Sequence, residues 1–314
     1  MKLMDDLEPG SAQLARPRPR RLVKRGRGRW RGALCGLLIL SAQAAAYGSD
    51  DQPPALEELL RRAGELTVAL EDGLAVVAAR EVSHQGLLQD RDRNARTRRK
   101  IESEVVWVPT GDALVWAFFR DVVAVDGSAI VDRAERLQRL FSSGATPDAR
   151  RQAGALLEEG ARYNLGRRRT VNTPTFALSI LHPRNQSRFR FRLAGEGKRE
   201  GVSVLKVHFS ETARPTLTRT SDGIDVPATG TLWIEPGQGA LVASELRLNA
   251  PRLPAEIKVR FRRAARPDAW LPFEMEEAYG NRSRSPGEDR VETRARYSNF
   301  RMAEAEAAVI LPIR

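Results

Sequence analysis

The chain has 314 residues, with 52 Lys/Arg against 40 Asp/Glu, a net charge of +12 at pH 7 and one cysteine. Residues 1–44 carry +7 of that charge, so the 270 residues that follow are only mildly basic at +5. No recognisable nucleic-acid module accompanies the basic residues, and a lone cysteine excludes an internal disulfide and an all-cysteine metal site.

The N-terminus reads as an export signal. Residues 16–31 are strongly basic, Gly32–Leu40 is a short apolar run, and Ala42-Gln43-Ala44 fits a small-x-small cleavage pattern. That order predicts a signal peptide over 1–44, cleaved after Ala44. The apolar run is too short to span a bilayer, so no transmembrane segment is expected in the mature chain, and Cys35 leaves with the leader. A polar linker, 45–54, precedes a single expected domain over 55–303, and 304–314 reads as a C-terminal tail. Some 270 residues suffice to bury a sizeable core.

Leu56, Leu59, Leu60, Ala63, Leu66 and Leu70 keep a helical spacing, which predicts a helix from Ala55 to about Ala79. The period then changes to two. Glu81–Leu88, Ile101–Val108 and Ala113–Val125 read as strands, the last ending at the turn signal Asp126-Gly127. A helical insertion is expected over about 131–181. Asp132–Phe141 has an N-cap and Glu135 three residues on, Thr146-Pro147 opens a helix to Tyr163, and a short apolar helix covers Thr175–Leu181 before Pro183. From Ser187 onward the chain is almost all strand, with segments near 188–193, 202–209, 230–235, 241–249, 255–263, 271–279 and 291–300. In Ile257–Arg262 apolar and cationic residues alternate, placing one face in a core and one in water. Pro236-Gly237-Gln238-Gly239 reads as a hairpin turn. This order predicts an α+β fold in which one strongly curved antiparallel sheet carries helices grouped on one face.

Residues able to carry chemistry are few. His84, His182 and His208 show no metal-ligand spacing, and His182 before Pro183 reads as a helix cap. Glu158-Glu159 and Glu276-Glu277 are adjacent in sequence, so their carboxylates diverge and form no acid/base dyad. No serine sits in a Gly-x-Ser-x-Gly elbow. These patterns predict no enzyme, no metal and no cofactor. Asn185-Gln186-Ser187 and Asn281-Arg282-Ser283 match a glycosylation pattern by chance, and the arginines of 184–192 read as a solvated strand face, with contact to anionic headgroups as the alternative. Aromatic residues on strands mark the core: Trp107, Trp116, Phe118, Phe189, Phe191, Trp233, Phe261 and Phe273.

The helix 55–79 leading into strands, the segment Gly230-Thr231-Leu232-Trp233-Ile234-Glu235-Pro236 with Gly239, and the meander after it resemble the half-barrel carriers of the bacterial envelope. These are the outer-membrane lipoprotein carriers, the lipoprotein-sorting family, and their receptor-like relatives. The resemblance implies a half-barrel with helices packed on its concave face and an exported protein of the periplasm or outer envelope. It further implies non-catalytic binding of a lipid or lipoprotein acyl chain in an apolar cavity. The walls of that cavity would come from Trp107, Trp116, Phe118, Phe191, Trp233, Ile257, Val259, Phe261 and Met275. The alternative is an interaction or sensor module on the same fold, with a filled core and an envelope protein as partner. A hydrolase is a third reading, against which the missing nucleophile and metal patterns weigh.

Overall fold

The structure is a computed structural model. It describes residues 55–73, 77–88, 96–110, 115–131, 136, 155–156, 158–166, 173–220, 222–250, 254–265, 267–280 and 290–302. The expected leader 1–44, linker 45–54, tail 304–314, sequon at Asn281 and most of the insertion between 132 and 172 lie outside the described residues.

The described chain begins with α1 (Leu56–Gly73). Glu57 and Glu58 sit in its first turn, where the helix dipole favours negative charge. Leu59 and Ala63 are fully buried, and Thr67 caps that stripe by donating to the Ala63 carbonyl at 2.8 Å. The helix is shorter than the expected Ala55–Ala79. Val77 already belongs to β1 (Val77–Leu88), where it pairs with Trp107 on one side and Met302 on the other. Strand partners on both sides override the helical propensity of Ala78-Ala79.

β2 (Arg96–Pro109) and β3 (Trp116–Val125) follow, then the two-residue β4 (Ser128–Ala129). Asp126 and Gly127, at φ +50° and +85°, make the turn between β3 and β4. α2 (Phe176–Leu181) and α3 (Pro183–Gln186) lead into a meander: β5 (Phe189–Arg199), β6 (Val202–Glu211), β7 (Ala228–Ile234), β8 (Leu241–Leu248), β9 (Ala255–Ala265), β10 (Asp268–Tyr279) and β11 (Arg290–Met302). Each expected strand is present, most of them a few residues longer.

The described strands form one antiparallel sheet of eleven, in the order β4-β3-β2-β1-β11-β10-β9-β8-β7-β6-β5. The sheet is open, with β4 and β5 as its edges. Two meanders therefore meet back to back: β1–β4 grows outward from the middle, and β5–β11 starts at the far edge and returns until β11 lies against β1. A register shift between Ala78 and Arg80 accommodates that junction.

One face of the sheet carries the main core. Leu59 and Ala63 of α1 and all of Phe176–Leu181 in α2 are buried with odd-numbered residues of β9, including Ile257, Val259 and Phe261. The intervening Lys258, Arg260 and Arg262 lie on the other face, as the alternation predicts. The β7–β8 turn docks on α1. Arg62 donates from Nη1 to the carbonyls of Pro236 (3.0 Å) and Gly237 (3.3 Å). Gly239, at φ +77°, lies so close to α1 that a Cβ there would stand 2.4 Å from the Ala63 nitrogen. Gln186 ties α3 to α1 through the Leu60 carbonyl at 2.8 Å.

Candidate functional site

Period-two alternation settles where each expected cavity residue falls. Trp107, Trp116, Phe118, Ile257, Val259, Phe261 and Met275 all belong to the main core cluster. They are 0–7% exposed, so little space even for water adjoins them. Trp107 lies tilted against Phe118 at 5.4 Å and meets Tyr297 edge-on at 5.5 Å. Phe191 lies half-buried at the margin, 6.1 Å from Phe189.

Trp233 falls apart from the other eight. Leu232 and Ile234 take the core positions of β7, so Trp233 points to the opposite face, in a small cluster with Val204, Val242 and Ala243. There the Arg199 guanidinium covers its ring at 4.7 Å. A void bounded by Ala63, Leu66, Thr67, Leu70, Leu178, Leu181, Gly239, Leu241 and Trp270 lies between the helices and the sheet, and it measures about 10 Å³, room for one water at most.

The core face also holds an ionic network that the sequence reading missed. Glu81 on β1 is fully buried, and the Arg120 guanidinium on β3 clamps it, with Nη2 to Oε1 at 2.8 Å. Burial opposes charge on Arg120, yet the adjacent Glu81 carboxylate holds the guanidinium above its ordinary pKa. Tyr297 lies opposite Glu81 on β11. Burial first, and the Glu81 charge second, push its hydroxyl well above the usual tyrosine range, so it remains a neutral donor. Glu277, buried on β10, accepts from the Tyr279 hydroxyl at 2.6 Å. Gln85 continues the polar strip, donating to Asn164 Oδ1 at 2.8 Å and accepting from the Leu165 backbone at 2.7 Å. The signal was phase. Arg120 follows Trp116 and Phe118 at the same parity, and Glu277 shares the parity of Met275 and Tyr279.

Of the three histidines, His182 caps α3, accepting at Nδ1 from the Arg184 backbone (3.2 Å), while its Nε2 lies 3.0 Å from Glu71 of α1. Burial and then Arg184 lower its pKa, so the ring is neutral and its Nε2–H faces the carboxylate. His208 meets Thr231 Oγ1 at 3.0 Å, and His84 stands exposed on β1. Asn185 is buried and donates to the Ser179 carbonyl at 2.8 Å, which removes it as a glycan acceptor. Glu276 is exposed and Glu277 buried, so the adjacent carboxylates do diverge. Among the described residues no three His, Cys, Asp or Glu side chains gather as metal ligands, and no helix is long and apolar enough to cross a membrane.

The opposite face is a charged ladder. Glu274 accepts from Arg260, from Arg294 (2.8 Å) and from Arg296 (3.2 Å). Glu200, in the β5–β6 turn, receives Arg260 (3.2 Å) and Arg262 (2.9 Å). An open hollow of about 670 Å³ lies on this face. Gly86 and Ala278 flank Glu292 in one cross-strand row and leave a notch. Longer side chains, including His84, Arg98, Lys258 and Arg294, rise around it.

No family model and no curated protein sequence matches the chain. Solved structures do. An outer membrane lipoprotein-sorting protein domain from Vibrio parahaemolyticus is 11% identical, with a TM-score of 0.37 over 79% of this chain and 93% of that one. A DUF1329 family protein from Desulfovibrio piger is 10% identical, at TM-score 0.33 over 78% and 93%. A LolA superfamily protein from Nitrosomonas europaea is 8% identical, at TM-score 0.33 over 80% and 94%. All three scores are low, and what the protein binds rests on its own residues.

Proposed function

We propose that the mature chain is an exported cell-envelope protein that binds a lipid or a protein without covalent chemistry, and that its occupant is a protein held on the surface. One observation carries the second half of that reading. Eight of the nine residues expected to wall an acyl-chain cavity are 0–7% exposed, and seven of them lie in the main core. A site for a lipid chain needs roughly 300 Å³ or more of apolar space, whereas the void beneath α1 holds about 10 Å³. Part of the remaining interior is occupied by the Glu81–Arg120 ion pair, a poor neighbour for a hydrocarbon tail. The 670 Å³ hollow on the other face is open and lined by charged groups, which suits polar side chains of a partner.

Acyl-chain binding is the second reading, favoured by the mostly apolar helix stripe and strand residues around the small void, which a chain would enter by displacing α1. Photo-crosslinking from position 98, at the rim of the hollow, in cells that export the protein tests the first reading. A discrete protein adduct, absent when the crosslinker is moved to position 61 on the exposed side of α1, is expected. Adducts only with lipid would overturn it.

A further inference from the structure

On the helix-free face, charge is distributed unevenly between the two halves of the sheet. Across β8–β11 the cations are answered by Glu245, Glu256, Glu274, Glu276 and Glu292. Across β5–β7 the same face carries Arg190, Arg192, Arg199 and Lys206 and no carboxylate at all. The register fixes this assignment. Arg190 pairs with Ser210, Arg192 with His208 and Gly195 with Lys206, and Lys206 in turn pairs with Trp233. Glu196 and Glu211 fall on the core side, opposite Leu205 and Phe189. Glu200 in the turn is engaged by Arg260 and Arg262. This acid-free sector ends at β5, an edge strand of the sheet whose residues from Arg192 onward are mostly exposed.

We propose that this sector docks the protein onto an anionic phospholipid surface. Guanidinium and ammonium groups without a carboxylate partner on the two adjacent strands β5 and β6 present a shallow positive field, which a flat array of phosphates complements without a pocket. The hollow described above lies on β1, β2 and β9–β11, well away from these cations. An acidic polypeptide would satisfy the charge as well, but nothing in this sector forms a groove to select one.

The test is vesicle co-sedimentation of the mature protein with phosphatidylcholine alone and with phosphatidylglycerol added, at low and high salt. Binding only to the anionic vesicles, lost at high salt, is expected. Each cation is worth about a fivefold change in partitioning, so R190Q/R192Q/K206Q should weaken binding about a hundredfold. The triple R98Q/R247Q/R301Q, with the same loss of net charge elsewhere, should weaken it less than about tenfold, and both triples should melt with the parent protein. No binding to anionic vesicles, equal losses in both triples, or binding to polyglutamate without binding to vesicles would each overturn the proposal.

Discussion

Glu274 is buried among three arginines. Burial alone would raise its pKa, but hydrogen bonds from Arg294, Arg260 and Arg296 outweigh it and hold the carboxyl at about 2, against an ordinary 4.5. A depressed carboxyl stabilises the fold fully above its unfolded pKa and loses that contribution as pH falls toward the folded one. Melting temperature should therefore decline between about pH 4.5 and pH 2, with Glu274 among the causes. Glu274→Gln should cost about 1–2 kcal/mol at neutral pH and make the acid slope shallower, as read by thermal melts across that range. Gly239 makes a second test at this scale. Its φ of +77° and its approach to α1 leave no space for a methyl group. Gly239→Ala should cost at least about 2 kcal/mol, whereas Gly127→Ala, with open space around its Cβ direction, should cost only the strain of its own φ, about 1–2 kcal/mol.

Among the elements, strands were the most legible in the sequence, because period-two alternation and turn residues mark them independently of tertiary context. Ile257–Arg262 alternates in the fold as in the chain, and Pro236–Gly239 turns where its residues demand. The pairing order was not legible. Nothing local says that β11 closes on β1, since that contact joins residues more than two hundred positions apart. The end of α1 was misjudged for the same reason, the partners of Val77 and Ala78 being remote. The ionic network was missed because Glu81, Arg120 and Glu277 each look like an ordinary strand charge until phase is counted. The pair makes a prediction about β1 and β3 together. Arg120→Met alone strands a buried carboxylate and should cost about 3–5 kcal/mol, while Arg120→Met with Glu81→Leu should recover much of that loss. Chemical denaturation of the two single variants and the double completes the cycle, and a double variant no better than R120M would contradict it.

The described sheet has two unlike faces: one joined to α1 and α2 through an apolar core that includes a buried ion pair, the other bare of described helices and crossed by salt bridges. The sequence resemblance implied a lipid-sized cavity on the first. Its aromatic and aliphatic residues do gather there, Trp233 excepted, but they gather by packing against one another. Whether a core is filled depends on how side chains from distant strands interdigitate, and alternation along one strand carries no information about that. In a filled core, Val259→Trp should cost about 1–3 kcal/mol through overpacking. The direct measurement is titration of the mature protein with a fluorescent fatty-acyl probe. A filled interior should give no saturable uptake, with the same baseline for the parent protein and V259W. Saturable binding by the parent that V259W abolishes would contradict the account and restore the acyl-chain carrier.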